Sequence, residues 1–394
     1  MREFNMFETI YAQLDKKNIT FVINDLNIGS RDNKQDLKKI SRFIEQQKFN
    51  GILLSKILNK KKFDILFSTG DLPISIFSIK NLIKFLYAKS IGYFLQLTNI
   101  STLLKKFFGS DFTAKGKDAH FYDSIFIEDK LSKNCIKFPN GLDRNIKHFP
   151  DYRWKKVFNI FFTSSLLEKE LINKKFSEKK IFYVGYPRFY ETGSIKIKQK
   201  ILKEYNFNPL KKNIICLPNE RIMIEQNNKS MSYYAKFLKE LNNDHNLLLR
   251  PHPKLEYYSR HHFNFLKGEN LKLDLNHSRK IIELFKFADL VICDFGSSVV
   301  ESIYLKKKIL IYEWRNEEKF KLLFDKKNCL DNLIREEFSK ININSLSNFK
   351  KIKSDITKLI ESNTYQQKIN STQSKLFGDL ERIQNPINIL KNIT

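Results

Sequence analysis

The stretch from Ala288 to Glu313, ADLVICDFGSSVVESIYLKKKILIYE, sets the tightest limit on what this chain can fold into. Leu290 to Cys293 is an apolar run of strand length that ends in Asp294. A turn of small residues follows, Phe295-Gly296-Ser297-Ser298, and then Val299 to Tyr304 has helical spacing. Ile309 to Tyr312 reads as the next strand. The order is strand, turn, helix, strand, with the turn at the helix start. Main-chain N–H groups there point outward without helical partners, so the turn is a natural seat for a phosphate. Upstream, the apolar run Leu247-Leu248-Leu249 ends in Arg250-Pro251-His252-Pro253.

The same alternation runs through the chain. Expected strands are Ile19 to Ile23, Phe63 to Ser68, Gly92 to Leu97, Asn159 to Thr163 and Ile181 to Gly185. A second series comprises Asn213 to Leu217, Asn246 to Arg250 and Leu271 to Leu275, ahead of the unit described above. Helical patterns lie between them, at Asn33 to Gln47, Ile76 to Ala88, after Ser165, at Tyr233 to Leu241 and at Ser278 to Ala288. Alternating strands and helices imply parallel sheets covered on both faces. The break around 188–212 divides the pattern into two Rossmann-like domains facing a cleft, residues 1–190 and 191–345. A polar helical tail, 346–394, is expected to pack back across them. Ligands in such folds bind beyond the carboxyl ends of the strands. The residues to watch are therefore Gly70, Asp71, Thr98, Asn99, Ser164, Arg188, Asn219, His252, Asp294, Ser297 and Ser298.

Each candidate has a plain structural reading beside the functional one. Prolines on both sides of His252 stiffen its turn, which suits an imidazole aimed at a phosphate or a leaving group. Arg250 matches diphosphate geometry, or is a salt-bridged arginine. Gly296, Ser297 and Ser298 offer donors to phosphate. Ser298-Val299-Val300-Glu301 also has the form of a capping box, so Glu301 either reaches back to the cap or binds a ribose. Arg188 either enters the cleft or sits in a linker. Asp71, Asn99, Asp118 and His120 are polar residues after or between strands of the first half. His261 and His262 are neighbours on one helix and diverge, which argues against a metal.

Charge bounds the partners. Lys and Arg number 70 against 43 Asp and Glu, a formal net charge of +27. The surplus favours a polyanionic neighbour: nucleic acid, anionic lipid or a phosphate-rich substrate. The lysines are scattered and no recognisable nucleic-acid module is present, so nucleic acid is not expected. The four cysteines show no Cys-x-x-Cys spacing, and Cys216 and Cys293 sit in apolar runs as buried thiols. No signal-peptide pattern opens the sequence, and no apolar run reaches the roughly 20 residues of a spanning helix. There is no Walker loop, Rossmann glycine fingerprint, nucleophile elbow or zinc-hydrolase helix.

These motifs, in this order, resemble the CDP-glycerol glycerophosphotransferases of teichoic acid and capsule synthesis, across roughly residues 60 to 320. The family's Gly-Tyr-Pro-Arg signature stands here as Gly185-Tyr186-Pro187-Arg188, and its Arg/Lys-Pro-His-Pro motif as Arg250-Pro251-His252-Pro253. Its Asp-Val-Leu-Ile-Thr-Asp-Tyr-Ser-Ser stretch is similar to Asp289 through Ser298, with Gly296 added. The following lysine and strand correspond to Lys308-Ile309-Leu310-Ile311-Tyr312. The resemblance implies a GT-B architecture and transfer of glycerol-phosphate, a related polyol-phosphate or a sugar from a CDP- or CMP-linked donor to a lipid-linked or polymer acceptor. It implies no cofactor or metal beyond that donor. It turns His252 to the donor's diphosphate, and with the residues read above the expected donor site comprises Arg250, His252, Arg188, Gly296, Ser297, Ser298, Glu301 and Asn219. With the surface charge, it implies an enzyme peripheral on the cytoplasmic face of a bacterial plasma membrane.

One departure bears on catalysis. The family's first-domain motif is Gln-Leu-Trp-His-Gly-Thr-Pro-Leu-Lys-Lys. Here Gln96-Leu97-Thr98-Asn99-Ile100 puts Asn99 at the histidine and Ile100 at the glycine. An amide accepts no proton at neutral pH. Either the base is another group, with Asp71, Asp118 and His120 as candidates and His252 left to the leaving phosphate, or the reaction differs, or the chain is an inactive partner subunit. A CMP-sialic acid or Kdo transferase and a sugar-nucleotide epimerase are the remaining enzyme readings.

Overall fold

The computed structural model of the chain describes residues 7, 10–23, 25, 34–46, 48–57, 63–69, 73–74, 125–139, 141–142, 149–150, 154–190, 195–219, 223–224, 226–252, 255–276, 279–313, 329–338, 340–342 and 349–393. Two parallel sheets organise it. The first has β3 (Phe63–Ser68), β6 (Ser132–Lys137), β7 (Ile160–Thr163) and β8 (Lys180–Tyr183), in that spatial order. The second has β9 (Asn213–Leu217), β10 (Asn246–Leu249), β11 (Leu290–Cys293), β12 (Ile309–Glu313) and β13 (Lys340–Asn342), in the spatial order β10-β9-β11-β12-β13. β1 (Thr20–Ile23) and β2 (Asn50–Leu53) form a small parallel pair, and β4 (Pro73–Ile74) with β5 (Ile125–Phe126) an antiparallel one.

Among the described residues the α-helices of six or more residues are α1 (Lys34–Gln46), α2 (Leu166–Lys175), α3 (Ile195–Glu204), α4 (Asn228–Asp244), α5 (Arg260–Gly268), α6 (Ile281–Phe287), α7 (Ser297–Tyr304), α8 (Leu330–Glu337), α9 (Phe349–Glu361), α10 (Asn363–Phe377) and α11 (Pro386–Lys391). Local chemistry sets several starts. The Ser165 hydroxyl accepts the Glu168 N–H at 3.0 Å, and the Glu168 carboxylate takes the Ser164 N–H at 2.6 Å. This reciprocal cap fixes α2 directly after β7. Asn227 caps α4 in the same way, accepting from the Ser230 N–H at 2.9 Å.

Every residue of β9, β10 and β11 is buried, which is why these strands read as unbroken apolar runs. The largest core cluster draws on both sheets, with Ile136, Ile160 and Phe162 of the first and Ile215, Leu248 and Val291 of the second. Tyr186, Phe189, Phe285 and Tyr304 belong to the same cluster. Cys216 and Cys293 are buried free thiols, and burial pushes both pKa values up.

The tail packs back as expected. The Tyr365 hydroxyl donates to the Ile309 carbonyl at 2.6 Å, and the Phe377 ring lies 5.1 Å from that of Tyr304. Past α10 the chain reaches the free edge of β8. There the Gln384 N–H donates to the Tyr183 carbonyl at 2.9 Å, and the Gln384 side-chain oxygen accepts the Tyr183 N–H at 3.2 Å. Gly185 has φ of 67°, and a Cβ there would lie 2.5 Å from Ile383 Cδ1. The glycine of the Gly185-Tyr186-Pro187-Arg188 motif thus serves both the turn and the passage of the tail.

The expected strand at Leu271 to Leu275 is instead a single parallel bridge between Leu273 and Leu249. The segment joins β10 through the Leu249 N–H to the Lys272 carbonyl at 2.9 Å and the Asp274 N–H to the Leu249 carbonyl at 2.8 Å, while the Asp274 side chain enters a buried ion-pair network. β2, β6 and β13 were not expected. The expected helix at Ile76 to Ala88 and strand at Gly92 to Leu97 lie outside the described residues.

Candidate functional site

In the second sheet β9 lies between β10 and β11. The chain leaves β9 for one side and later returns to pair on the other, which makes the β9–β11 junction a topological switch point. Such junctions open a crevice at the carboxyl ends of their strands. Here that crevice collects Asn219 after β9, Arg250 to His252 after β10, and Asp294 to Ser298 after β11.

Asp294 holds the junction together. It is fully buried, and its carboxylate accepts the Asn219 N–H at 2.9 Å and the Phe295 N–H at 2.7 Å. Burial pushes its pKa up to about 7, against the pull of those N–H groups and of Arg335. The next residue but one, Gly296, has φ of 83° and ψ of −150°, a conformation reserved for glycine. A Cβ there would approach Asn219 Nδ2 at 3.2 Å.

Gly296 is the N-cap of α7, with no side-chain cap bond. Val299 N–H bonds back to the Gly296 carbonyl at 3.2 Å. Ser297 and Ser298 are half-buried in the first turn of α7, where main-chain N–H groups lack helical acceptors. The helix dipole adds about half a positive charge at this end. The capping box expected at Ser298 and Glu301 is absent, because α7 begins two residues earlier than that pattern needs. Glu301 then falls in the second turn and cannot reach the cap. Its buried carboxylate meets the Arg188 guanidinium at 3.4 Å instead.

Arg188 comes from the other sheet. It lies in a 3-10 turn, Pro187–Phe189, that follows β8. The Tyr186 N–H donates to the Tyr304 hydroxyl of α7 at 2.8 Å, fixing this turn against the helix. Arg188 therefore stands over α7 and within electrostatic reach of Arg250.

Arg250 is more committed than its motif suggested. One guanidinium nitrogen donates to Asp274 at 2.9 Å and another to the Arg279 carbonyl at 3.1 Å. Burial pulls its pKa down from the usual arginine value. Asp274 also takes the Tyr205 hydroxyl at 2.9 Å and Arg279 Nε at 3.2 Å. This network ties the Arg250-Pro251-His252 turn to α3. His252 is half-buried beyond the stiff Pro251, and its carbonyl accepts the Leu255 N–H at 2.8 Å.

Asp71, Asn99, Asp118 and His120 lie outside the described residues. His262 Nε2 lies 2.8 Å from the Gln226 carbonyl, and His261 Nε2 lies 3.0 Å from Asn228 Oδ1, so each ring has its own partner. No group of three or more His, Cys, Asp or Glu side chains able to hold a metal occurs among the described residues. Two residues escaped the sequence reading: Asp331 and Arg335 of α8 contact the Asp294–Gly296 turn directly.

Two parallel Rossmann-like sheets, with a glycine-containing turn at the switch point of the second, have the GT-B architecture. The solved structures agree on the fold. A histidine-to-alanine variant of the wall teichoic acid polymerase TagF is 15% identical with a TM-score of 0.54, over 100% of this chain and 93% of that one. A histidine-to-asparagine variant of TagF is 16% identical with a TM-score of 0.50, over 99% and 92%. The sequence profile of the CDP-Glycerol:Poly(glycerophosphate) glycerophosphotransferases matches residues 152–374, and the chain belongs to that family. It is a glycerophosphotransferase-type enzyme. No curated protein matches it by sequence.

Proposed function

We propose that the chain transfers glycerol-phosphate, or a related polyol-phosphate, from a cytidine-diphosphate donor to a growing surface polymer of the teichoic type. The observation that carries this reading is the turn from Asp294 to Ser298. It aims two unspent N–H groups of α7 from a switch point, with Asn219 beside it and Arg188 above it. A nucleotide's phosphate takes the N–H groups of Ser297 and Ser298 and the adjoining hydroxyls. Glu301 fixes Arg188 as the overhead counter-charge. His252 meets the diphosphate from the β10 side.

In the reaction the acceptor hydroxyl oxygen attacks the phosphorus of the transferred group. The bond to the bridging oxygen breaks, and CMP leaves with the electron pair. Helix dipole, N–H groups and His252 stabilise the charge on the leaving phosphate. The acceptor's proton goes to a base, for which Asp71, Asp118 and His120 are the candidates.

The +27 charge supports a peripheral position on an anionic membrane at the cytoplasmic face, where a lipid-linked acceptor is presented. No helix among the described residues is long and apolar enough to cross a membrane. Failure to pellet with anionic liposomes at low salt overturns the membrane part alone. Asn99 favours a second reading, an inactive partner subunit, which turnover by the native chain would end.

A thermal-shift panel of CMP, CDP, CDP-glycerol, CDP-ribitol, UDP and UDP-sugars tests the donor. Ligand at about a hundred times its dissociation constant adds about 2.7 kcal/mol. A cytidine-selective shift, lost in His252→Ala, is expected. A uridine-selective shift replaces this reading with a sugar transferase or epimerase.

A further inference from the structure

We propose that Asp331 is a positioning residue of the donor site, whose carboxylate holds the Gly296 amide and so sets the direction of the Ser297 and Ser298 N–H groups. The proposal rests on the donor-site reading above and extends it to α8, a helix outside every motif recognised in the sequence.

Asp331 and Arg335 are one turn apart on α8 and share a face. Asp331 Oδ2 accepts the Gly296 N–H at 3.1 Å. Arg335 Nη1 donates to the Asp294 carbonyl at 2.7 Å. The helix thus grips both ends of the turn between β11 and α7. Arg335 also lies 5.4 Å from the Phe295 ring and donates to Glu313 at 3.3 Å, so its own place is fixed. A glycine amide needs such a hold: with no Cβ, Gly296 is free to leave φ of 83° for many other conformations. Each of them would swing the Ser297 and Ser298 N–H groups away from a common target.

Asp331 is an expensive way to make one hydrogen bond. It is fully buried, its Oδ1 has no hydrogen-bond partner, and burial raises its pKa. An apolar residue at 331 would fill the space more cheaply, but would leave the buried Gly296 N–H without an acceptor.

The test is calorimetric titration of CDP-glycerol and CMP into the native chain and into Asp331→Ala, Asp331→Asn and Asp331→Glu. Amide exchange at Gly296 is followed in each. Loss of the charged acceptor in Asp331→Ala weakens nucleotide binding by roughly tenfold or more and exposes the Gly296 amide to exchange. Asp331→Asn keeps an acceptor in place and stays within roughly threefold of native. Asp331→Glu keeps the charge but moves it by a methylene, and binds worse than Asp331→Asn. This order, set by acceptor position rather than by charge, holds even where the alanine variant does not fold. Native-like affinity in folded Asp331→Ala, or Asp331→Glu binding as well as Asp331→Asn, overturns the proposal and leaves the donor site standing. A native chain that binds neither CDP-glycerol nor CMP overturns the donor-site reading, and the proposal with it.

Discussion

The Arg188 guanidinium and the Glu301 carboxylate meet at 3.4 Å, joining the turn after the last strand of one sheet to α7, the helix that follows β11 in the other. Glu301 is buried, whereas Arg188 keeps about a fifth of its side chain exposed, 22%. Removing the arginine therefore takes the ion partner from a buried acid, while removing the acid releases an arginine that water can solvate. Arg188→Met is expected to destabilise by about 1–3 kcal/mol and Glu301→Gln by less, with a favourable coupling in the double-mutant cycle. Urea unfolding of the four proteins checks this. Strict additivity would show that the pair contributes nothing.

Asp294 gives a pH signature. Its folded pKa, about 7, lies above the ordinary 3.8. The folded state therefore holds the proton where the unfolded chain has lost it. The stability this contributes is fully present below the unfolded value and is lost as pH rises through about 7. Asp294→Asn keeps an acceptor for the Asn219 and Phe295 N–H groups and carries no such proton. Relative to this variant, the native protein is expected to lose up to about 1.4 kcal/mol per pH unit between pH 4 and 7, and nothing more above that. Urea midpoints at pH 5, 6, 7 and 8 measure the difference. A gap that does not change with pH contradicts the assignment. Asp331, also raised by burial, leaves a residual slope in both proteins.

How far this site was legible depends on what held each part. β9, β11 and α7 stood out because parallel strands buried on both faces leave unbroken apolar runs, Ile214 to Leu217 and Leu290 to Cys293. β6 did not, because its Ser132, Lys133 and Asn134 break the pattern. Their polar groups are met by the neighbouring strands: Asn134 Nδ2 donates to the Asp64 carbonyl at 3.1 Å, and Asn159 Nδ2 donates to the Lys133 carbonyl at 2.9 Å. Leu271 to Leu275 alternates as a strand does, and what forms there among the described residues is the single Leu273–Leu249 bridge. The capping pattern at Ser298 to Glu301 lost to a partner far away in sequence, Arg188. Asp331 was invisible for the same reason: an acid in the first turn of an amphipathic helix looks like any other until Gly296 is beside it.

The Gly185 crossing predicts a pairwise rescue. Gly185→Ala places a methyl 2.5 Å from Ile383 Cδ1 at a backbone φ of 67°. The expected cost is about 1–3 kcal/mol. Ile383→Ala in the same chain relieves the clash but not the backbone strain, so part of the loss returns. Thermal midpoints of the single and double variants measure it. A Gly185→Ala protein as stable as native would mean that the tail does not pass there.

The donor turn itself is tested most directly by Ser297→Pro. Proline is well accepted at the first position of a helix, where it removes one N–H and disturbs little else. Calorimetric titration of CDP-glycerol into the native chain and this variant is the measurement. If the Ser297 N–H meets the donor's phosphate, affinity falls by roughly tenfold or more while the unfolding midpoint stays close to native. Equal affinity in both proteins would contradict the account and remove α7 from the donor site.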